Sequence, residues 1–200
     1  MSTASLTPVS VWQSLARSTA GASPGDGAGV QFTPLGAHGL LVLRARDEVR
    51  DALAAGLRSV CELDLPDKLQ SVARGEYCLR WISPDEWWLS LPFDAADSTL
   101  AKLRDAIDAS VALVDLSSGY EFMRLEGSKA REVLMKSVPY PVDAAHLPPG
   151  KVVSTMLSKS QLCLRALDDD AFELIVRRSF ADYVWHWLVD AAGEYGWQTT

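Results

Sequence analysis

Short apolar runs with strand character alternate along this chain with stretches whose apolar residues recur at helical spacing, and the order of these elements nearly repeats. In the first unit, Leu40 to Arg46 is predicted to be a strand. Asp47 is placed to cap a following helix, with Glu48 in its first turn and Val49, Leu53, Leu57 and Val60 as its apolar stripe. A linker is expected from Cys61 to Gly75, where Pro66 breaks any helix. Tyr77 to Ile82 and Trp87 to Leu91 read as a hairpin turning at Ser83-Pro84-Asp85. A helix from Ser98 to Ala109 carries Leu100, Leu103 and Ile107 on one side, and Val111 to Ser117 is a further strand. The order is β-α-β-β-α-β.

The second unit starts with a strand from Glu121 to Leu125 and a helix opened by Gly127-Ser128, carrying Ala130, Val133 and Leu134. Pro139, Pro141, Pro148 and Pro149 punctuate a long connection. Strands are expected over Val152 to Leu157, Leu162 to Leu167 and Phe172 to Val176, the last two turning at Asp168-Asp169-Asp170. A terminal helix runs from about Phe180 to Tyr195. The fold class is therefore α+β, as two split β-α-β (ferredoxin-like) modules in tandem. Residues 1–38 read as an N-terminal arm and a flexible glycine-rich loop, 39–118 as the first module, and 119–200 as the second with its C-terminal helix. Regular structure is expected to begin near Gly39, after a short amphipathic turn around Val9, Val11, Trp12 and Leu15.

Composition removes several classes of function. The chain carries a net charge of −7, and its 19 basic residues are scattered. Nucleic acid and anionic membranes are bound through clustered Lys and Arg, so neither is an expected partner. No apolar run approaches the roughly 20 residues of a spanning helix. Met1 to Ser10 lacks the basic start and apolar stretch of a secretory signal. Three widely spaced cysteines, Cys61, Cys78 and Cys163, match neither a disulfide framework nor a zinc site, and suit a reducing cytoplasm.

Candidate sites each meet a plainer explanation. The Gly21 to Gly29 stretch lacks the Gly-Lys-Ser/Thr ending of a phosphate loop and carries Asp26. Asp168-Asp169-Asp170 has no spaced second ligand set for a hard cation. His38, His146 and His186 stand alone, without a His-x-x-x-His or Glu-x-x-His pair. Ser117-Ser118-Gly119 follows a strand but lacks the Gly-x-Ser-x-Gly context of a nucleophile elbow. No Gly-x-Gly-x-x-Gly is present. No catalytic, cofactor-binding or metal-binding residue is assigned.

Tryptophan is the unusual feature. Of seven, Trp87 and Trp88 are neighbours on a strand and so point to opposite faces, and Trp185 and Trp187 lie two apart on a helix. One core does not easily take both members of either pair, and Trp is enriched as an interface anchor. Trp88 and Trp185 are the expected partner contacts. Trp187 is assigned to the core, because Phe180, Val184, Trp187, Leu188 and Ala191 make the more apolar stripe.

Two long motifs carry a family resemblance. Trp81-Ile82-Ser83-Pro84-Asp85-Glu86-Trp87-Trp88-Leu89 resembles a signature of the gamma subunit of heterotetrameric sarcosine oxidase. So does Asp169-Asp170-Ala171-Phe172-Glu173-Leu174-Ile175-Val176-Arg177-Arg178-Ser179-Phe180-Ala181-Asp182-Tyr183-Val184-Trp185-His186-Trp187-Leu188. Between them, Val114-Asp115-Leu116-Ser117, Leu125-Glu126-Gly127, Ala130, Leu134 and Pro148-Pro149-Gly150 follow the pattern. The central part is shared with the wider aminomethyltransferase-like, folate-binding superfamily, whose fold the resemblance implies in reduced form.

The resemblance implies a non-catalytic structural subunit of a cytoplasmic complex that oxidatively demethylates sarcosine to glycine. Oxygen is consumed, and hydrogen peroxide and formaldehyde or methylene-tetrahydrofolate are made. It implies alpha, beta and delta subunits as partners, and FAD, FMN, NAD, tetrahydrofolate and zinc held by them rather than by this chain. The alternatives are a stand-alone folate-binding aminomethyltransferase-like protein and a gamma subunit of a related N-methyl amine oxidase. Folate-binding relatives are expected to carry an Asn and a Gly where this chain has Met156 to Leu162, which contains neither. Asp115 matches a position in the strand pattern, but an acid at a strand end is not a site by itself.

Overall fold

The computed structural model describes residues 9–19 and 28–200. Helix α1, Val11–Thr19, precedes strand β1, Val30–Pro34. The first module then runs β2 (His38–Arg44), α2 (Arg50–Cys61), β3 (Ser71–Arg74), β4 (Tyr77–Ser83), β5 (Glu86–Pro92), α3 (Ala96–Ala106) and β6 (Ala112–Asp115). The second runs β7 (Tyr120–Glu126), α4 (Ala130–Met135), β8 (Val152–Leu157), β9 (Ser160–Ala166), β10 (Ala171–Arg177), α5 (Ala181–Ala192) and β11 (Trp197–Thr199).

The first sheet has the order β3-β4-β5-β2-β6, with every pairing antiparallel. Its first strand, β2, lies between β5 and β6, as a split β-α-β unit requires. The second sheet, β11-β1-β7-β10-β9-β8, repeats the plan: β7 pairs with β10, and β10 with β9. Here β1 is inserted between β7 and β11, antiparallel to the former and parallel to the latter. The chain is thus the expected α+β fold of two split β-α-β modules.

Four layers result. Helices α2 and α3 bury Leu53, Leu57, Leu100 and Leu103 against Leu41, Leu43, Leu79 and Leu89 of the first sheet. Helices α1, α4 and α5 bury Trp12, Val133, Leu134, Val184 and Leu188 against Phe32, Met123, Leu125, Leu164 and Leu174 of the second. The sheets face each other, β2 against β7 and β4 against β8. Leu40, Phe122, Val152, Cys163 and Ile175 fill the layer between them. Successive strand residues point to opposite faces, so Leu40 enters this middle layer while Leu41 enters a helix-covered core. Burial on both faces explains why β2 and β10 are almost continuously apolar rather than alternating.

Several local expectations are corrected. Regular structure begins well before Gly39: α1 packs on α5, and β1 lies inside the second sheet. Val30 and Phe32 alternate with polar residues, and their partners come from β7 and from distant β11. Ser10 caps α1, accepting from the Gln13 amide at 3.2 Å and donating to Glu121 at 2.5 Å. The expected linker after α2 contains edge strand β3, and β11 follows the last helix. Asp47 does not cap α2; it sits in a 3-10 turn and pairs with Arg50 at 2.5 Å. Most of the glycine-rich stretch, residues 20–27, lies outside the described residues.

Candidate functional site

The middle layer holds one buried polar cluster. In the first sheet Cys78 pairs with Ser90, with Arg80 two residues further along β4 on the same face. In the second, Arg165 pairs with Glu173. Arg80 is fully buried, and its Nη2 meets Glu173 Oε1 at 2.5 Å. Its Nε donates to the same oxygen at 3.0 Å, and its Nη1 donates to Cys78 O at 3.0 Å and Ser90 Oγ at 2.8 Å. Arg165 approaches Glu173 at 3.3 Å and donates to the Cys78 sulfur at 2.7 Å. The cluster joins four strands from both sheets.

Its electrostatics are those of a structural tie. Burial works against the Glu173 carboxylate, but Arg80 and Arg165 hold its pKa below the usual range. Burial likewise works against the Arg80 charge, and Glu173 raises its pKa above the ordinary value. A general base needs a pKa near working pH and a proton to take; Glu173 is pulled away from that range. Burial pushes the Cys163 thiol up to about 12 and Cys61 to about 11, and raises Cys78 against the pull of two arginines. These are poor conditions for a thiolate nucleophile. Among the described residues no group of three or more His, Cys, Asp or Glu side chains is placed to hold a metal ion. No helix among them is long and apolar enough to cross a membrane.

The residues singled out from the sequence are not brought together. Asp168 to Asp170 form the exposed β9–β10 tip, where Asp168 accepts from the Asp170 amide. His38 stacks on Phe122 in the middle layer, at 4.8 Å between centroids. His146 pairs with Asp143 and His186 with Asp182, both on the surface. Ser117 sits in a short turn between β6 and β7, where its Oγ donates to Asp115 and accepts from the Leu40 amide. Asp115 also accepts from the Ser117 amide at 2.8 Å, so this carboxylate closes the turn.

The tryptophans require a correction. Trp87 faces the α2–α3 core, and Trp88 faces the middle layer, half-buried against Tyr120 at 4.9 Å. On α5 the assignment is reversed. Trp185 is fully buried against Phe32 and Trp197, at 5.8 and 6.4 Å, whereas Trp187 is 41% exposed. Ala181, Val184, Trp185, Leu188 and Ala192 form the true core stripe. Its alanines let the helix approach the sheet, and β1 and β11 supply the walls around the indole. A ranking by summed apolarity misses both effects. Trp185 is therefore not available to a partner. Trp187 instead stands with Tyr183, at 6.1 Å, and donates to Ser137 Oγ, while Phe180 and Met135 are exposed on neighbouring turns.

Known proteins resemble this chain as follows. A model of the family "Sarcosine oxidase, gamma subunit" matches residues 45–194. The gamma subunit of sarcosine oxidase from Corynebacterium sp. (strain U-96) is 29% identical over 116 residues, covering 58% of this chain and 56% of that protein. The alignment thus spans little more than half of that relative's length. The Arthrobacter sp. gamma subunit is 26% identical over 147 residues, 72% of this chain and 70% of that one. Among solved structures, a chain of the heterotetrameric sarcosine oxidase from Corynebacterium sp. U-96 superposes with a TM-score of 0.80 at 24% identity, covering 91% of this chain and 93% of its own. The glycine cleavage system aminomethyltransferase T from Bartonella henselae superposes with a TM-score of 0.61 at 14% identity, covering 86% of this chain and 48% of its own. At these identities the structural likenesses establish the fold, which is of the aminomethyltransferase type.

Proposed function

Because this chain belongs to the sarcosine oxidase gamma-subunit family, we propose that it is a structural, cofactor-free subunit of a heterotetrameric sarcosine oxidase. The observation that carries the reading is the family match across residues 45–194, which takes in nearly all of both modules. The use made of the interior supports it. The buried charged groups Arg80 and Glu173 are committed to each other and to neighbouring strands.

In this reading the complex oxidises the N-methyl group of sarcosine, releasing glycine and passing two electrons to oxygen to give hydrogen peroxide. The one-carbon unit leaves as formaldehyde or is taken by tetrahydrofolate. FAD, FMN, NAD, the folate site and zinc reside in the alpha, beta and delta partners. Three buried, unpaired thiols suit a cytoplasmic setting. The present chain supplies rigid surface that holds partners in place.

The test is co-expression of a tagged chain with the oxidase subunits encoded by its native cells, followed by purification. The expected outcome is a complex that carries a flavin absorbance band and produces peroxide from sarcosine. The chain purified alone is colourless and inactive. A stoichiometric flavin band on the lone chain, tight binding of tetrahydrofolate by it, or failure of the oxidase subunits to co-purify overturns the proposal.

A further inference from the structure

The layer between the sheets is closed at one end by Arg80, Glu173 and Arg165, and open at the other. The opening is a cleft of about 230 Å³. Trp88 and Ile82 come from the first sheet, Tyr120, Arg177 and Gln161 from the second, and buried Cys163 and Ile175 form the floor. Strand register puts these side chains there. Arg177 is directly opposite Tyr120, and Gln161 opposite Met156, which is 37% exposed. On the facing sheet, Trp88, Val42 and Val114 lie in one row, and Val114 is 45% exposed. Trp88 is pinned by its Nε1 donating to Glu86 at 2.7 Å and by its edge-on contact with Tyr120.

Arg177 is the charged group at the mouth of this cleft. The chain has 26 acidic residues against 19 basic ones, yet this exposed arginine meets no carboxylate and no hydrogen-bond acceptor among the described residues. Its neighbour Arg178 pairs with buried Glu121 at 3.3 Å. Glu86 also lines the cleft, but its carboxylate accepts from Trp88 at 2.7 Å and faces Arg44 at 3.7 Å, so the Arg177 guanidinium, unpaired beside two aromatic rings, presents a planar fork for an incoming carboxylate. The cleft is smaller than the roughly 300–1,000 Å³ of small-molecule pockets, a size that suits one large side chain rather than a cofactor. Aromatic residues and Arg around an apolar recess are the composition of an interface hot spot.

We propose that this cleft anchors a partner subunit of the oxidase: a large apolar side chain of the partner enters between Trp88 and Tyr120, and an adjacent Asp or Glu pairs with Arg177. The proposal rests on the functional reading above and adds the place and the chemistry of docking. In it, Trp88 is the tryptophan that meets the partner.

The test compares purified complexes containing the wild-type chain, Arg177→Met, Arg177→Lys or Trp88→Ala, sized over a dilution series at low and high salt. Arg177 is exposed, so Arg177→Met spares folding, which melting of each full-length free chain checks. Dissociation of the Arg177→Met and Trp88→Ala complexes is expected at concentrations roughly tenfold or more above wild type. Arg177→Lys restores part of the loss. Added salt weakens the wild-type complex and leaves Arg177→Met nearly unchanged. A photo-crosslinking residue in place of Gln161 should label a partner peptide with Asp or Glu beside a large apolar residue.

A wild-type complex matched in stability by Arg177→Met and Trp88→Ala overturns this proposal and leaves the functional reading standing. A wild-type chain that recruits no oxidase subunit overturns both. If millimolar benzoate or acetate changes the tryptophan fluorescence of the free wild-type chain but not of Arg177→Met, and the complexes do not differ, the occupant is a free carboxylate and the docking proposal is overturned.

Discussion

Trp185 and Trp187 lie two positions apart on α5 and meet different surroundings. The first fills a recess walled by Phe32 and Trp197, and the second lies 41% exposed over Tyr183 and Ser137. Truncating a buried Trp leaves a cavity that the two flanking rings cannot fill, a loss of about 3–5 kcal/mol. Trp185→Ala is therefore expected to give an insoluble chain or one whose melting temperature falls sharply. Trp187→Ala removes a half-exposed ring and one hydrogen bond, and is expected to melt close to wild type. Thermal melts of the two variants side by side decide the matter, and equal losses would refute the assignment. Nothing in the spacing of α5 alone separates the two indoles, because both lie on stripes that share Leu188.

Helix α2 illustrates how an element's sequence can contradict its intrinsic preference. Gly56 sits in the middle of it, where glycine is about 1 kcal/mol worse than alanine. A Cβ at Gly56 would lie 2.3 Å from Cγ1 of Ile107, at the end of α3. The missing side chain lets the two helices of the first module touch over the sheet. Gly56→Ala is thus expected to destabilise the protein despite its helix propensity, by about 1–3 kcal/mol from overpacking. Ile107→Ala added to it should remove the clash and leave a double mutant less damaged than the two single losses summed. Urea denaturation of the four proteins measures the coupling, and a stabilising Gly56→Ala would contradict the packing argument. Gly127 does comparable work at the β7–α4 turn. Its φ of 120° and the Gly29 carbonyl, 2.4 Å from a would-be Cβ, hold β1 against the start of α4.

At the scale of the whole molecule, two modules with separate helix-covered cores are joined through a thin apolar layer, a buried charge cluster and a backbone bridge between Gln70 and Lys151. Removing one partner of a buried pair leaves the other uncompensated, at about 3–5 kcal/mol. Glu173→Gln is expected to lose stability on that scale, since Arg80 and Arg165 both face the lost charge. The pH dependence carries a definite sign. The folded-state pKa of Glu173 is depressed, so its contribution is complete above the unfolded value of about 4.3 and is lost as pH falls through the folded one. The stability gap between wild type and Glu173→Gln should therefore be widest at neutral pH and narrow progressively in acid. Denaturation curves from pH 7 down to pH 3 test this. A gap that widens in acid would mean that Glu173 is not held ionised by its arginines.

Period-two and period-3.6 patterning determined, from the sequence alone, that the chain is α+β with two successive split β-α-β units. Those signals live within a single element: the stripe of Leu53 and Leu57, the alternation that sends Trp87 and Trp88 to opposite faces, the turn at Asp168 to Asp170. The family was legible too, because its motifs are continuous runs around β4–β5 and β10–α5. Only the tertiary structure decided what pairs across distance. Strand β1 acquires its meaning from β7 and β11, short β3 from β4, and Arg80 from Glu173, 93 residues away. Loop-closure entropy changes only slowly with chain length, so sequence separation does not mark which distant segments will meet. The choice is made by mutual burial, which also left Arg177 without an acid among the described residues and Trp187 partly exposed.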